Sequence, residues 1–234
     1  HSDILRKNFL AVLVVIVNFF AWFFPLYAFL EKILEKSVML PVLSIHYIGA
    51  VGFAFVGVVL VKKSLGRSAL LSLWMFIGMI SSAMLFMLGT NDVVSLLFVS
   101  FLLGVSLGLG FPSCLAYFGQ HTTEEDRGRL GGMTFLFSGL GVLVIGFLIS
   151  TSTFAVSVLI LTLLRGIGLI LFLLLSRDKE HRQSMVDVSY KSVLFNRSLL
   201  LYLIPWLMFC LVNFFEMPML RSASNILLSL IHIS

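Results

Sequence analysis

The sequence predicts an all-α membrane protein, a polytopic helix bundle. Three observations carry this. Of 234 residues, 59% are hydrophobic and only 12% are charged. Apolar stretches of bilayer length recur seven times, and the charged residues collect between them. A hydrocarbon core about 30 Å thick needs roughly 20 apolar residues of helix. Backbone groups there must be satisfied within the segment, so the runs are helices. They are continuous and lack the period-two alternation of a transmembrane barrel.

The first run, Phe9–Leu30, is too long for a signal peptide, and no small-residue cleavage site follows it. It carries Asn18 and Pro25 among dense aromatics: Phe19, Phe20, Trp22, Phe23, Phe24, Tyr27 and Phe29. Lipid contact is expected for most of these, and a cavity lining for some. The second, Val38–Val61, holds His46 and Tyr47, with Gly49, Gly52 and Gly57 beyond them. Ser68–Leu88 follows. The fourth, Val93–Phe118, holds Gly104, Gly108, Gly110 and Pro112; the fifth, Leu130–Ile149, holds Gly139, Gly141 and Gly146. Phe154–Leu175 contains Arg165, and Leu199–Leu220 contains Asn213 and Glu216. The expected organisation is a six-span bundle over 1–175, a polar loop over 176–198 and a further span over 199–220. Residues 221–234 change character abruptly and read as translated adapter sequence, not part of the fold; the other reading is a loop and the start of an eighth span. The chain as a whole reads as a fragment of something longer.

Loop charge sets the orientation. Lys and Arg favour the cytoplasmic side of short loops. With the N-terminus inside, Arg6, Lys7, Lys62, Lys63, Arg67, Arg127, Arg129, Arg177, Lys179, Arg182, Lys191 and Arg197 are cytoplasmic. Only Lys32 and Lys36 fall outside. Twelve against two is a strong bias, and a missed span would have scrambled it. It points to a multi-pass protein, expected in the plasma membrane. The net charge of +5 therefore reports topology, not nucleic-acid binding.

The run Val17-Asn18-Phe19-Phe20 in span one returns as Val212-Asn213-Phe214-Phe215 in span seven, each followed by a Pro. Such an echo fits a transporter whose halves are parallel repeats. Lys62-Lys63-Ser64-Leu65-Gly66-Arg67 lies between spans two and three, and Arg127-Gly128-Arg129 precedes span five. With six spans, a long inner loop and a seventh span, the chain resembles a major facilitator superfamily transporter. The resemblance covers the N-terminal half, the central loop and the first span of the second half. Gly66-Arg67 matches the end of that family's loop motif, whereas Lys63 stands where its Asp is usual, so the charge relay tied to that Asp is not carried over. The Gly-Pro signature of drug–proton antiporters is absent from span five. The resemblance implies a half built as a 3+3 repeat, with spans one and seven lining a central cavity and Asn18 facing Asn213 across it.

The candidate site residues are the few polar groups in the spans. Asn18 lies about 14 Å from the cytoplasmic end of its span, near the level where transporters bind solutes. Its amide can read a polar solute or bond a neighbouring helix. Glu216 is the only acid inside any span; it is the candidate to titrate if a proton is the coupling ion, or else it reaches interfacial water. Arg165 is the only cation inside a span, about 16 Å from its outer end. It can hold an anion bidentately, or bind carbonyls or snorkel. Pairing it with Glu216 is strained, since their depths differ by roughly 10 Å. His46 reads as a gate or pH sensor, or more simply as packing, and Tyr27 as part of the pathway. Gly104 and Gly108 make a small-xxx-small pattern for close helix approach. With Pro112, Gly66 and Arg67 they are the packing or gating set. Cys114 and Cys210 read as small packing residues.

The chain carries no phosphate-binding Gly-Lys-Ser/Thr loop, no His-Glu-x-x-His, no nucleophile elbow and no metal-spaced Cys/His set. No cofactor, metal or nucleic acid is expected, and no enzyme activity. The leading function is a secondary transporter or facilitator moving a small solute by alternating access. The alternatives are a seven-span receptor or sensor, for which no retinal-type Lys exists in span seven, and the permease subunit of a larger complex. As a half-transporter, this chain alone is not expected to carry solute.

Overall fold

The computed structural model describes residues 2–34, 36–63, 66–86 and 93–176, with positions 197, 201, 204, 205 and 208. Contacts divide the chain into units at His1–His181 and Arg182–Ser234, the first of which is a helix bundle. Six helices make it up: α1 (Ser2–Ile33), α2 (Lys36–Lys63), α3 (Arg67–Met84), α4 (Val93–Gln120), α5 (Glu124–Thr151) and α6 (Phe154–Leu175). Each is long and apolar enough to cross a membrane. No strand occurs among the described residues. The seventh span, with Asn213, Glu216 and Cys210, and the 221–234 tail lie outside the described residues, apart from isolated positions in the span.

The ends follow from local chemistry. Gly66, extended at φ −60° and ψ 154°, opens α3, and its carbonyl accepts from the Leu70 N–H at 3.1 Å. The α5 helix begins six residues before the apolar run, because Thr123 Oγ1 accepts from the Asp126 N–H at 3.3 Å and caps it. Arg127 reaches back to Thr122 Oγ1 at 3.3 Å. Pro25, Pro41 and Pro112 lie inside α1, α2 and α4. Several in-span hydroxyls return to their own helix, among them Ser81 to the Ile77 carbonyl, Ser82 to Gly78, Ser113 to Leu109 and Thr134 to Leu130. That keeps polar groups satisfied without water.

The packing has an internal order. The principal pairs are α2 with α4 and α1 with α5, then α3 with α4, α3 with α6, and α1 with α6. Smaller contacts join α1 to α4, α5 to α6 and α2 to α3. Exchanging α1 with α4, α2 with α5 and α3 with α6 returns the same set. A bundle of two related three-helix groups has this signature.

Two apolar cores result. One gathers Val15, Phe19, Leu71, Met75, Leu109 and Phe172. The other gathers Trp22, Leu26, Leu85, Leu103, Val158 and Leu161. Along α3 and α6 the two sets are separated by Gly78 to Ser82 and by Arg165, a polar layer at mid-height that Asn18 joins from α1, one turn before Trp22. Large apolar side chains such as Leu40, Phe55, Phe135, Leu143 and Phe147 point outward. Phe19, Trp22 and Phe29 do not: they are buried, and Phe24 is the strongly exposed aromatic of α1. The expectation of lipid contact fails for those three, because α1 is wrapped by α4, α5 and α6.

Candidate functional site

The polar layer centres on Arg165. Its side chain is 0% exposed, so it does not snorkel. The guanidinium carbon sits 3.9 Å from the Trp22 ring centroid and 4.4 Å from that of Trp74. Arg165 Nη1 donates to Asn18 Oδ1 at 2.7 Å. Asn18 Nδ2 in turn donates to the Leu164 carbonyl at 2.7 Å. Both ends of the Asn18 amide are thus engaged by α6, and its orientation is fixed. Two indole faces and one amide oxygen hold the cation; such stacking strengthens when water is excluded.

The surrounding residues complete the seat. Trp22 Nε1 donates to Ser82 Oγ at 2.9 Å, and Ser82 Oγ to the Gly78 carbonyl at 2.7 Å. Ser106 Oγ donates to the Trp74 carbonyl at 3.4 Å. Gly78 has to be small: a Cβ there would stand 2.8 Å from Ser106 Oγ and 2.9 Å from Arg165 Nε. Gly168 is equally constrained, since a Cβ would run into the Asn18 amide. Arg165 Nε and Nη2 and Trp74 Nε1 have no hydrogen-bond partner among the described residues.

The sequence singles out Asn18 and Arg165 separately, one facing a cavity and the other holding an anion, binding carbonyls or snorkelling. The structure brings them together. The signal was present: about 14 Å from the inner face and about 16 Å from the outer one add up to the bilayer core, so both sit at one level. Trp22, four residues after Asn18 and on the same face, was also within reach. Trp74, Gly78 and Ser106 left no signal that would join them to Arg165.

The other candidates lie elsewhere. His46 is buried, with Nδ1 3.2 Å from the Ser100 carbonyl, which only accepts, so that nitrogen carries the proton. Tyr27 and His46 line a crevice between α1 and α2 with Phe23, Leu26, Leu30 and Leu43. Gly104 and Gly108 abut the α2 backbone, where a Cβ would strike the carbonyls of His46 and Ala50. Pro112 is half-buried one turn further along α4. Gly66 and Arg67 open α3, about two turns before Trp74. Lys32 Nζ donates to the Ser150 carbonyl at 3.3 Å, so the end of α1 and the end of α5 lie on one face of the bundle.

Six membrane-length helices in exchange-related threes, with a polar layer between two apolar cores, narrow the choice of family. The family model for the Major Facilitator Superfamily matches residues 9–232. The chain belongs to the major facilitator superfamily. No curated protein matches it. As a major facilitator protein it is a multi-pass integral membrane protein of the transporter class, and its members move small solutes.

Proposed function

We propose that this major facilitator protein is a secondary transporter or facilitator that moves a small solute by alternating access. The observation that carries the reading is the exchange of packed pairs. Two similar three-helix groups can rock against a matching half, opening a central site to one side at a time. Asn18 and Arg165 are the pathway residues of the first six helices, at the level of the site. Tyr27 and His46 line the approach between α1 and α2. Asn213 is the proposed partner across the cavity, and Glu216 the residue that titrates if a proton is coupled. The N-terminus is cytoplasmic, from the loop charges; the shared face of Lys32 and Ser150 fits the alternation that this requires. The plasma membrane is the proposed location.

The test is uptake by the full-length protein in proteoliposomes, against a solute panel, with and without an imposed pH gradient. Saturable uptake that one imposed gradient accelerates is expected. Single cysteines at Phe24 and Phe111, exposed positions of α1 and α4, should react from either side, in proportions that substrate shifts. Labelling from one side only, unaffected by any transported solute, would rule out alternating access.

A further inference from the structure

Arg165 has three nitrogens that can donate, and only one is used. Nη1 serves Asn18, while Nε and Nη2 serve no acceptor among the described residues. These two are not an arbitrary pair. In a guanidinium, the N–H bonds of Nε and Nη2 run parallel along one edge, the edge that matches the two oxygens of a carboxylate. Asn18 occupies the opposite corner and so leaves that fork whole. The indole rings of Trp22 and Trp74 lie 3.9 and 4.4 Å from the guanidinium carbon, so these two rings crowd the cation and narrow the approach to it. Gly78 supplies no Cβ against Nε.

The charge balance points the same way. No Asp or Glu occurs in the first six apolar runs. The acids of α1 and α5 sit in end turns, at Asp3, Glu31, Glu124, Glu125 and Asp126. A buried cation without a counter-charge is costly, and a neutral amide does not cancel it. A water on the free edge would satisfy the donors and leave the charge.

We infer that the Nε/Nη2 edge of Arg165 is a binding fork for a carboxylate, aimed by Asn18 and flanked by Trp22 and Trp74. Its occupant is the carboxylate of an anionic solute. The fork is enclosed in the conformer described here, so α1, α3 or α6 must part for a solute to enter. The identity of the occupant as cargo rests on the transporter reading; the fork itself does not.

A binding measurement keeps the two apart, because it needs no transport. Of the three tryptophans, Trp206 is changed to Phe, so that emission comes from the two that flank the guanidinium. The protein in nanodiscs is titrated with benzoate and, separately, with its neutral analogue benzamide. A saturable change with benzoate and none with benzamide is expected. Arg165→Met should abolish it. Arg165→Lys keeps the charge but not the fork, and should weaken the response by about tenfold, the scale of a lost charge-assisted bond. Absence of a response to benzoate overturns the inference, and so does a benzoate response undiminished in Arg165→Lys or Arg165→Met. Uptake in proteoliposomes would survive either of those failures.

Discussion

Helices α1 and α4 hold exchange-related places in the bundle, yet they are anchored to different neighbours. The α4 helix leans on α2. Gly104 and Gly108 lie against the carbonyls of His46 and Ala50, Ser100 Oγ donates to the Val42 carbonyl at 2.8 Å, and His46 caps the same turn from the other side. The α1 helix meets α5 more loosely. Gly141 would bring a Cβ to 3.1 Å from the Ala21 Cβ, and the glycines at 132, 139 and 146 meet nothing within 4 Å. Apart from Lys32 on the Ser150 carbonyl at the helix ends, its polar anchors go to α6, through Asn18, and to α3, through Trp22 and Ser82. A shared packing scheme decides which helices touch. It does not decide what holds them, and a glycine signals close approach only where a neighbouring backbone is there to be met.

The sharpest way to break that contrast is at the α1–α6 anchor. Asn18→Leu leaves a buried cation without its acceptor and should cost about 3–5 kcal/mol, read as lost thermal stability in detergent. Adding Arg165→Met should restore most of it, since replacing both members of such a pair is often neutral. A mild Asn18→Leu would mean that α1 is held by shape alone. Next comes the α2–α4 seam. Gly108→Val drives a branched side chain into the Ala50 backbone, and a loss of about 2–3 kcal/mol is expected by the same measurement. Gly141→Val confronts only the side chains of Ala21 and Val17, which can shift, so about 1 kcal/mol is expected. Equal losses at 108 and 141 would erase the distinction between the two seams. The smallest effect is Gly139→Ala, which enters open space and should gain roughly 0.5–1 kcal/mol of helix stability.

Much of the architecture was legible in the chain itself. Apolar length alone located all six helices, and α6 coincides with its apolar run because Ser152 and Thr153 break the helix on one side and Ser176 on the other. Boundaries moved where polar turns continue a helix beyond the hydrocarbon, as at Glu124 behind the Thr123 cap. The site was legible as residue types and not as a constellation. A lone Asn and a lone Arg in apolar spans stand out by cost. Their pairing spans 147 residues of sequence, and nothing local encodes it. The aromatics misled for a related reason: a Trp facing lipid and a Trp stacked on a guanidinium read alike until the neighbouring helix is in place.

The interlock of Gly78 with Arg165 constrains what evolution can do at either position. A methyl group on α3 at residue 78 and a guanidinium on α6 at residue 165 compete for one space, and the indoles of Trp22 and Trp74 lie close against the guanidinium. The two positions should therefore change together. A homologous chain with a bulkier residue at 78 should have surrendered the arginine, and with it any preference for acids over neutral cargo.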